Sequence, residues 1–246
     1  MKKKIIIFGI IGLLFCISIF SNVESKTINA VSDPNDDETI TIEGADGNNG
    51  WYISPVDVTF HAYDYPYASS GLYCINYRII TQGAANSSDW STYFFPDFYT
   101  EYDFTVTLDA DGSHTVEFQA VDGFLLGHIN NEGAVHSSQL IGIDMTAPEV
   151  TLSKEKISFN EINFTADASD STSDIDYVEF YQNEEFRIKD DIYPYNYNWK
   201  GIGSYNIQAK AYDNAGNCQE SNVVSTPQLK ILKPMFLQLL QRFFKL

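Results

Sequence analysis

Two stretches of this chain, Gly112–Asp122 and Gly203–Asp213, repeat one pattern. Each opens on Gly-Ser, closes on Ala-x-Asp and places apolar residues at every second position between. The alternating set is Val116, Phe118 and Ala120 in one copy and Ile207, Ala209 and Ala211 in the other. A two-residue period is the mark of a strand with one buried face. A shared pattern of this length, at the same relative place in both halves, implies a duplicated building block.

Other segments fall into the same order. Val56, Val58, Phe60 and Ala62 alternate with polar residues, as do Ile162, Phe164, Ala166 and Ala168, and an aspartate follows each run at Asp64 and Asp170. A second strand comes next in both halves, around Leu72–Tyr77 and Ile175–Phe180. Residues 38–143 and 148–228 therefore read as two domains, each near the ~100 residues of a β-sandwich. Between them Pro148 fixes its own φ and biases Ala147 toward extended geometry, which predicts a short, stiff junction. Asp111-Gly112, between two alternating runs, predicts a tight hairpin. Trp51, Trp90 and Trp199 are expected to be buried. With 44% apolar and 15% aromatic residues there is material for two cores, which excludes a disordered polyanion. Cys74 and Cys218 are too few to staple a small domain and are read as two separate thiols, with a bridge between them as the alternative.

The ends differ from the middle. Lys2, Lys3 and Lys4 precede an uncharged run from Ile5 to Phe20, the layout of an export signal over residues 1–25, with an uncleaved N-terminal anchor as the alternative. Residues 26–37 read as a linker. In 234–246, Phe236, Leu239, Leu240, Phe243 and Phe244 recur at helical spacing opposite Gln238, Gln241, Arg242 and Lys245. That predicts a short amphipathic cationic helix, which either contacts an anionic membrane surface or docks on protein. From residue 26 to 228, 8 basic side chains face 32 acidic ones. Such a surface repels phosphate backbones, which excludes nucleic acid as a partner class.

Gly50–Val56, Ser70-Gly71-Leu72, Trp90–Tyr93, Gly112–Val116 and Ile143-Asp144 before Thr146-Ala147-Pro148 form an ordered set. It resembles the bacterial and archaeal Ig-like surface repeat of outer-membrane type. The second half, with Val178–Tyr181, Pro194-Tyr195, Trp199 and Ala211–Asn217, is similar to another prokaryotic Ig-like module. The resemblance implies an all-β chain of two tandem Ig-like sandwiches, secreted or displayed on the cell surface, with no chemistry of its own. One departure is that Gly123–His128 stand where Ala-Gly-Asn is usual after Asp122.

In such a sandwich the loops after the second and sixth strands share one pole. Asp144, Asp170, Asp174, Asp213, Asn214 and Asn217 would then converge. Carboxylate, amide and carbonyl oxygens without imidazole or thiolate suit a hard cation such as Ca2+. The competing reading is that each aspartate accepts hydrogen bonds from its own turn. Tyr65, Tyr67, Tyr99 and Tyr102 belong to aromatic clusters that either stack on a ligand or fill the core edge. Asn86 and Asn163 fit the glycan acceptor pattern. His61, His114, His128 and His136 all lie in the first half; His128 and His136 could hold a transition metal, but no nucleophile, phosphate-loop or zinc motif accompanies them. The reading is a non-enzymatic surface adhesion or spacer protein for a protein or glycan ligand. The alternative is an accessory carbohydrate-binding protein serving polysaccharide degradation.

Overall fold

The computed structural model describes residues 23–29, 38–63, 71–83, 89–122 and 133–227. The expected tail helix at 234–246 and most of the expected signal, residues 1–22, lie outside them. All regular elements in the described residues are strands, and none of these residues forms a helix long and apolar enough to cross a membrane. Contacts divide the chain into two units. The first holds Met1–Ala147 with Asp170–Asp174 and Asp213–Asn217; the second holds Pro148–Ser169, Ile175–Tyr212 and Cys218–Leu246.

The first unit carries β1 (Val23–Asn29), β2 (Thr39–Ala45), β3 (Trp51–Tyr52), β4 (Val56–Tyr63), β5 (Leu72–Thr81), β6 (Ser91–Tyr99), β7 (Glu101–Leu108), β8 (Gly112–Asp122), β9 (His136–Ser137) and β10 (Ile141–Ile143). One sheet runs β1-β2-β4-β7; the other runs β3-β10-β8-β5-β6, with β9 against β8. The alternation in β4 is literal: Val56, Val58, Phe60 and Ala62 are fully buried. They meet Val116, Phe118 and Ala120 of the facing sheet in one core. Phe60 and Phe118 stack with centroids 5.1 Å apart, and burying each such ring contributes ~1.5–3 kcal/mol.

The structure corrects three expectations in this unit. Residues 26–29, read as linker, and 23–25, read as the end of the signal, form β1, which pairs antiparallel with β2 from Val23↔Ala45 to Asn29↔Thr39. The Asp111-Gly112 hairpin does not form. β7 pairs with β4 and β8 with β5, so this turn carries the chain from one sheet to the other. Trp90 is 39% exposed, because its ring lies outside the core under the Arg78 guanidinium at 4.7 Å. Trp51 instead covers Gly142, where a Cβ would stand 2.9 Å from the indole. At the end of the larger sheet, where β6 is the last strand among the described residues, β6 carries Pro96, and its register against β5 shifts between Leu72 and Cys74.

The second unit carries β11 (Glu149–Ser158), β12 (Glu161–Ser169), β13 (Ile175–Gln182), β14 (Glu185–Asp190), β15 (Tyr195–Lys200), β16 (Asn206–Asp213), β17 (Cys218–Glu220) and β18 (Val224–Ser225). Its sheets are β11-β12-β15 and β14-β13-β16-β17, with β18 against β16. Ile162, Phe164 and Ala166 from the first sheet and Val178, Phe180, Ile207, Ala209 and Ala211 from the second build its core. Between β13 and β14, Gln182 pairs with Glu185, leaving Asn183 and Glu184 as a two-residue turn with φ of 50° and 68°. Two positive φ values mark the turn whose twist suits a hairpin. Cys218 is disulfide-bonded, against the expectation of a separate thiol, while Cys74 lies buried in β5.

Candidate metal centre

Three strand ends supply the acidic group. Asp170 follows β12, and its Oδ1 accepts from the Thr172 and Ser173 N–H groups at 2.9 and 2.8 Å. Asp213 closes β16, and its Oδ1 accepts from the Gly216 and Asn217 N–H groups at 2.7 and 2.8 Å. Gly216 makes that turn at φ +100°, a region L side chains avoid. Asp144 follows β10; its N–H donates to the Tyr52 carbonyl at 2.9 Å, and its Oδ1 accepts from the Thr146 N–H at 3.1 Å. Each aspartate thus does what a turn aspartate does. The turn role does not use up their oxygens.

One carboxylate oxygen from each of Asp144, Asp170 and Asp213 lies within 4.8 Å of the others. Asp144 and Asp213 are buried, at 0% and 1% exposure. No hydrogen bond reaches the buried Oδ2 of Asp144. None of the ion pairs among the described residues involves these three carboxylates. Burial pushes the Asp213 carboxyl up to about 6, with the charge of Asp144 adding to the shift and bonds from Asn217 and Gly216 opposing it. Burial likewise raises Asp144, partly offset by Ser173 and Thr146 and reinforced by Asp170 and Asp111. Ser173 is thus near enough to favour the charged form of Asp144, yet it does not meet Oδ2 with hydrogen-bond geometry. The pocket favours neutral carboxyls or a bound positive charge.

Asn217 ties the group together. Its Nδ2 donates to the Asp144 carbonyl at 2.9 Å, to Asp213 Oδ2 at 3.0 Å and to the Thr146 carbonyl at 3.3 Å. Asn214 braces the neighbouring loop, where its Nδ2 donates to the Ser173 carbonyl at 2.7 Å and its N–H to the Asp174 carbonyl at 3.0 Å. Asp174, at φ 62°, offers that carbonyl, and its carboxylate is not among the three that converge. Two participants escaped the sequence reading. Ser173 is buried and its Oγ accepts from the Ala215 N–H at 3.2 Å. Asp111 accepts from the Met145 N–H at 2.8 Å and the Thr146 hydroxyl at 2.5 Å. Asp111 was visible as half of Asp-Gly, a signal absorbed by the turn reading.

The other candidates are dispersed. Tyr65, Tyr67, Asn86 and His128 lie outside the described residues. Tyr99 and Tyr102 are half-buried and pack on the core, with Tyr102 4.5 Å from the Phe95 ring and 5.4 Å from Tyr99. Two exposed rings are neighbours: Tyr73 and Phe94 meet edge to face at 5.4 Å, whereas Tyr93, next along β6, turns to the other face and packs against Phe95, Tyr102 and Phe104. Asn163 sits in mid-strand, its Nδ2 donating to Asn196 Oδ1 at 3.1 Å and Thr165 Oγ1 at 3.3 Å. A glycan on that nitrogen would displace both bonds. His136 is buried against Glu38, with Nε2 to Oε2 at 2.5 Å, and His61 pairs with Asp103 at 2.7 Å. His114 bridges Thr81 and the Ala110 carbonyl.

Residues 144–217 match the family described as bacterial Ig domain. No curated protein matches the chain. Solved structures similar to it include fibronectin(III)-like modules of Clostridium thermocellum CbhA, at 20% identity and TM-score 0.33, covering 76% of this chain and 90% of that one. Another is the FN1–FN3 segment of chicken CNTN1, at 12% identity and TM-score 0.31, covering 78% of each chain. The matched segment begins at Asp144 and ends with the Asp213–Asn217 loop, so it contains all three converging aspartates.

Proposed function

We propose that this protein is an exported, surface-displayed, non-catalytic Ig-like adhesion or spacer protein. Bacterial Ig-like domains commonly serve as surface or spacer modules, and the match over residues 144–217 is the observation that carries the reading. The chemistry is consistent with it. Among the described residues, the imidazoles of His61, His114 and His136 are held by partners within their own unit. The outer-membrane-type assignment of the first half and the cationic tail at 234–246 belong to the same proposal, with the tail holding the protein at an anionic membrane surface.

Protease treatment of intact cells tests the display. Digestion of the protein while a cytoplasmic marker survives supports it; protection until the cells are lysed overturns it.

The ligand would be a cell-surface protein or a glycan. The exposed pair of Tyr73 and Phe94 favours keeping the second reading, an accessory carbohydrate-binding protein, because flat rings stack on sugars with little entropy loss. A glycan array with wild type and a Tyr73→Ala, Phe94→Ala variant separates the two. Sugar binding lost in the variant favours the second reading, and absence of sugar binding in both favours the first.

A further inference from the structure

We infer that Asp144, Asp170 and Asp213 form a binding site for one hard divalent cation of the calcium class. The convergence of three acids on exposed turns would mean little, since solvated aspartates gather at loop ends without a ligand. Two further observations separate this group from that case. Asp144 is fully buried, and its Oδ2 has no hydrogen-bond donor. No lysine or arginine forms an ion pair with any member among the described residues. A buried carboxylate oxygen without donor or counter-charge is costly unless the group is protonated or a cation sits against it.

The donor set identifies the class. All three ligands are carboxylates, with no imidazole or thiolate among them, which disfavours zinc and copper and suits calcium or magnesium. Calcium holds its oxygens at about 2.3–2.6 Å, so two ligands of one ion stand up to about 5 Å apart; magnesium, at about 2.0–2.1 Å, allows only about 4 Å. The three oxygens, all within 4.8 Å of one another, lie inside the span that a calcium ion allows. The turn hydrogen bonds pre-form the site. Each aspartate is fixed through Oδ1 by N–H groups of its own loop, so little ordering remains to be done when an ion arrives. Three protein oxygens leave room for waters or carbonyls to complete the six to eight that calcium takes.

Calcium chloride titrated into the full chain at neutral pH, after chelator treatment, tests the site by calorimetry and thermal unfolding. One calcium per chain, with a midpoint at or below ~1 mM, the range of extracellular modules, and a melting temperature raised by several degrees, is the expected result. Magnesium should give a smaller shift at the same concentration. Asp170→Asn keeps the oxygen that caps its turn and removes the charge; it should lose the calcium shift by tenfold or more in midpoint while retaining its metal-free melting temperature. Asp174→Asn should bind as wild type does. Absence of heat and of thermal shift at ~10 mM calcium, ten times the upper end of that range, overturns the inference. So does a shift that survives in Asp170→Asn, or an equal response to magnesium. If Asp170→Asn fails to fold, the wild-type stoichiometry and the Asp174→Asn control still decide.

Discussion

Asn222 pairs with Leu152 as though its side chain were a strand. Its Oδ1 accepts from the Leu152 N–H at 2.9 Å and its Nδ2 donates to the Leu152 carbonyl at 3.0 Å. Leu152 lies in β11 of one sheet, whereas Asn222 follows β17 of the other, so one amide closes the ladder between them. Asn222→Ala leaves both Leu152 backbone groups unmet, at a cost of about 1–3 kcal/mol. Urea unfolding should show a lower midpoint at unchanged slope. A midpoint equal to wild type would mean that water replaces the amide without loss.

The hydroxyls of Tyr181 and Tyr212 both donate to Glu179 Oε2, at 2.5 and 3.3 Å. Burial first, then the Glu179 charge, pushes Tyr212 up to about 12, and burial raises Tyr181 as well. Unfolded tyrosines titrate near 10. Between pH ~10 and ~12 the unfolded chain therefore loses protons that the folded chain keeps, and stability falls as pH rises. Below pH ~10 the contribution is whole. Urea midpoints across that range should drop steadily, and Glu179→Gln, which removes the charge opposing ionisation, should flatten the slope.

Glu184 occupies the second position of the β13–β14 turn at φ 68°, where a Cβ costs roughly 1–2 kcal/mol. Glu184→Gly yields Asn-Gly, the sequence this turn type favours. Thermal unfolding should show a gain, reduced by the entropy glycine adds to the unfolded chain. A loss would show that the glutamate makes a contribution its geometry does not reveal.

Asp213, raised to about 6 chiefly by burial and then by Asp144, binds a proton more tightly in the folded chain than in the unfolded one. In chelator, its contribution to stability therefore declines as pH rises from ~4 to ~6 and stays low above that. Carbon-13 NMR of its carboxyl should give a midpoint near that raised value, and added calcium should move the midpoint down. A midpoint at the ordinary aspartate value in chelator would refute this account.

The strands that alternate cleanly were legible because a sandwich core leaves its period in the sequence. Phe60, Phe118, Phe164 and Phe180 all lie fully buried where the alternation put them. The two copies of the repeat match in backbone as well: Gly112 and Gly203 have φ of 132° and 133°. Pairing was not legible. Asp111-Gly112 has hairpin composition, yet whether a turn joins neighbours or crosses between sheets depends on which distant strand each flank meets, here β4 and β5. Strand β1 carried little periodic signal, and it follows an apolar run that reads as targeting. In the acidic group, the positions of Asp170 and Asp213 were legible from strand ends. The role of Asp174 was not, because its φ of 62° sets where its carboxylate goes and leaves no trace in local composition. Ser173 and Asp111 were missed because their polar atoms answer backbone groups distant in sequence.

Among the described residues β6 forms an outer edge of the larger sheet, and that edge has a bearing on crowding. β6 carries Pro96 near its middle and a break in register beside it, and a strand without an N–H at that point is a poor template for another chain. Many copies held side by side could thus jostle without zipping into fibres. That tolerance would let such a protein be packed densely while each molecule keeps its own boundary.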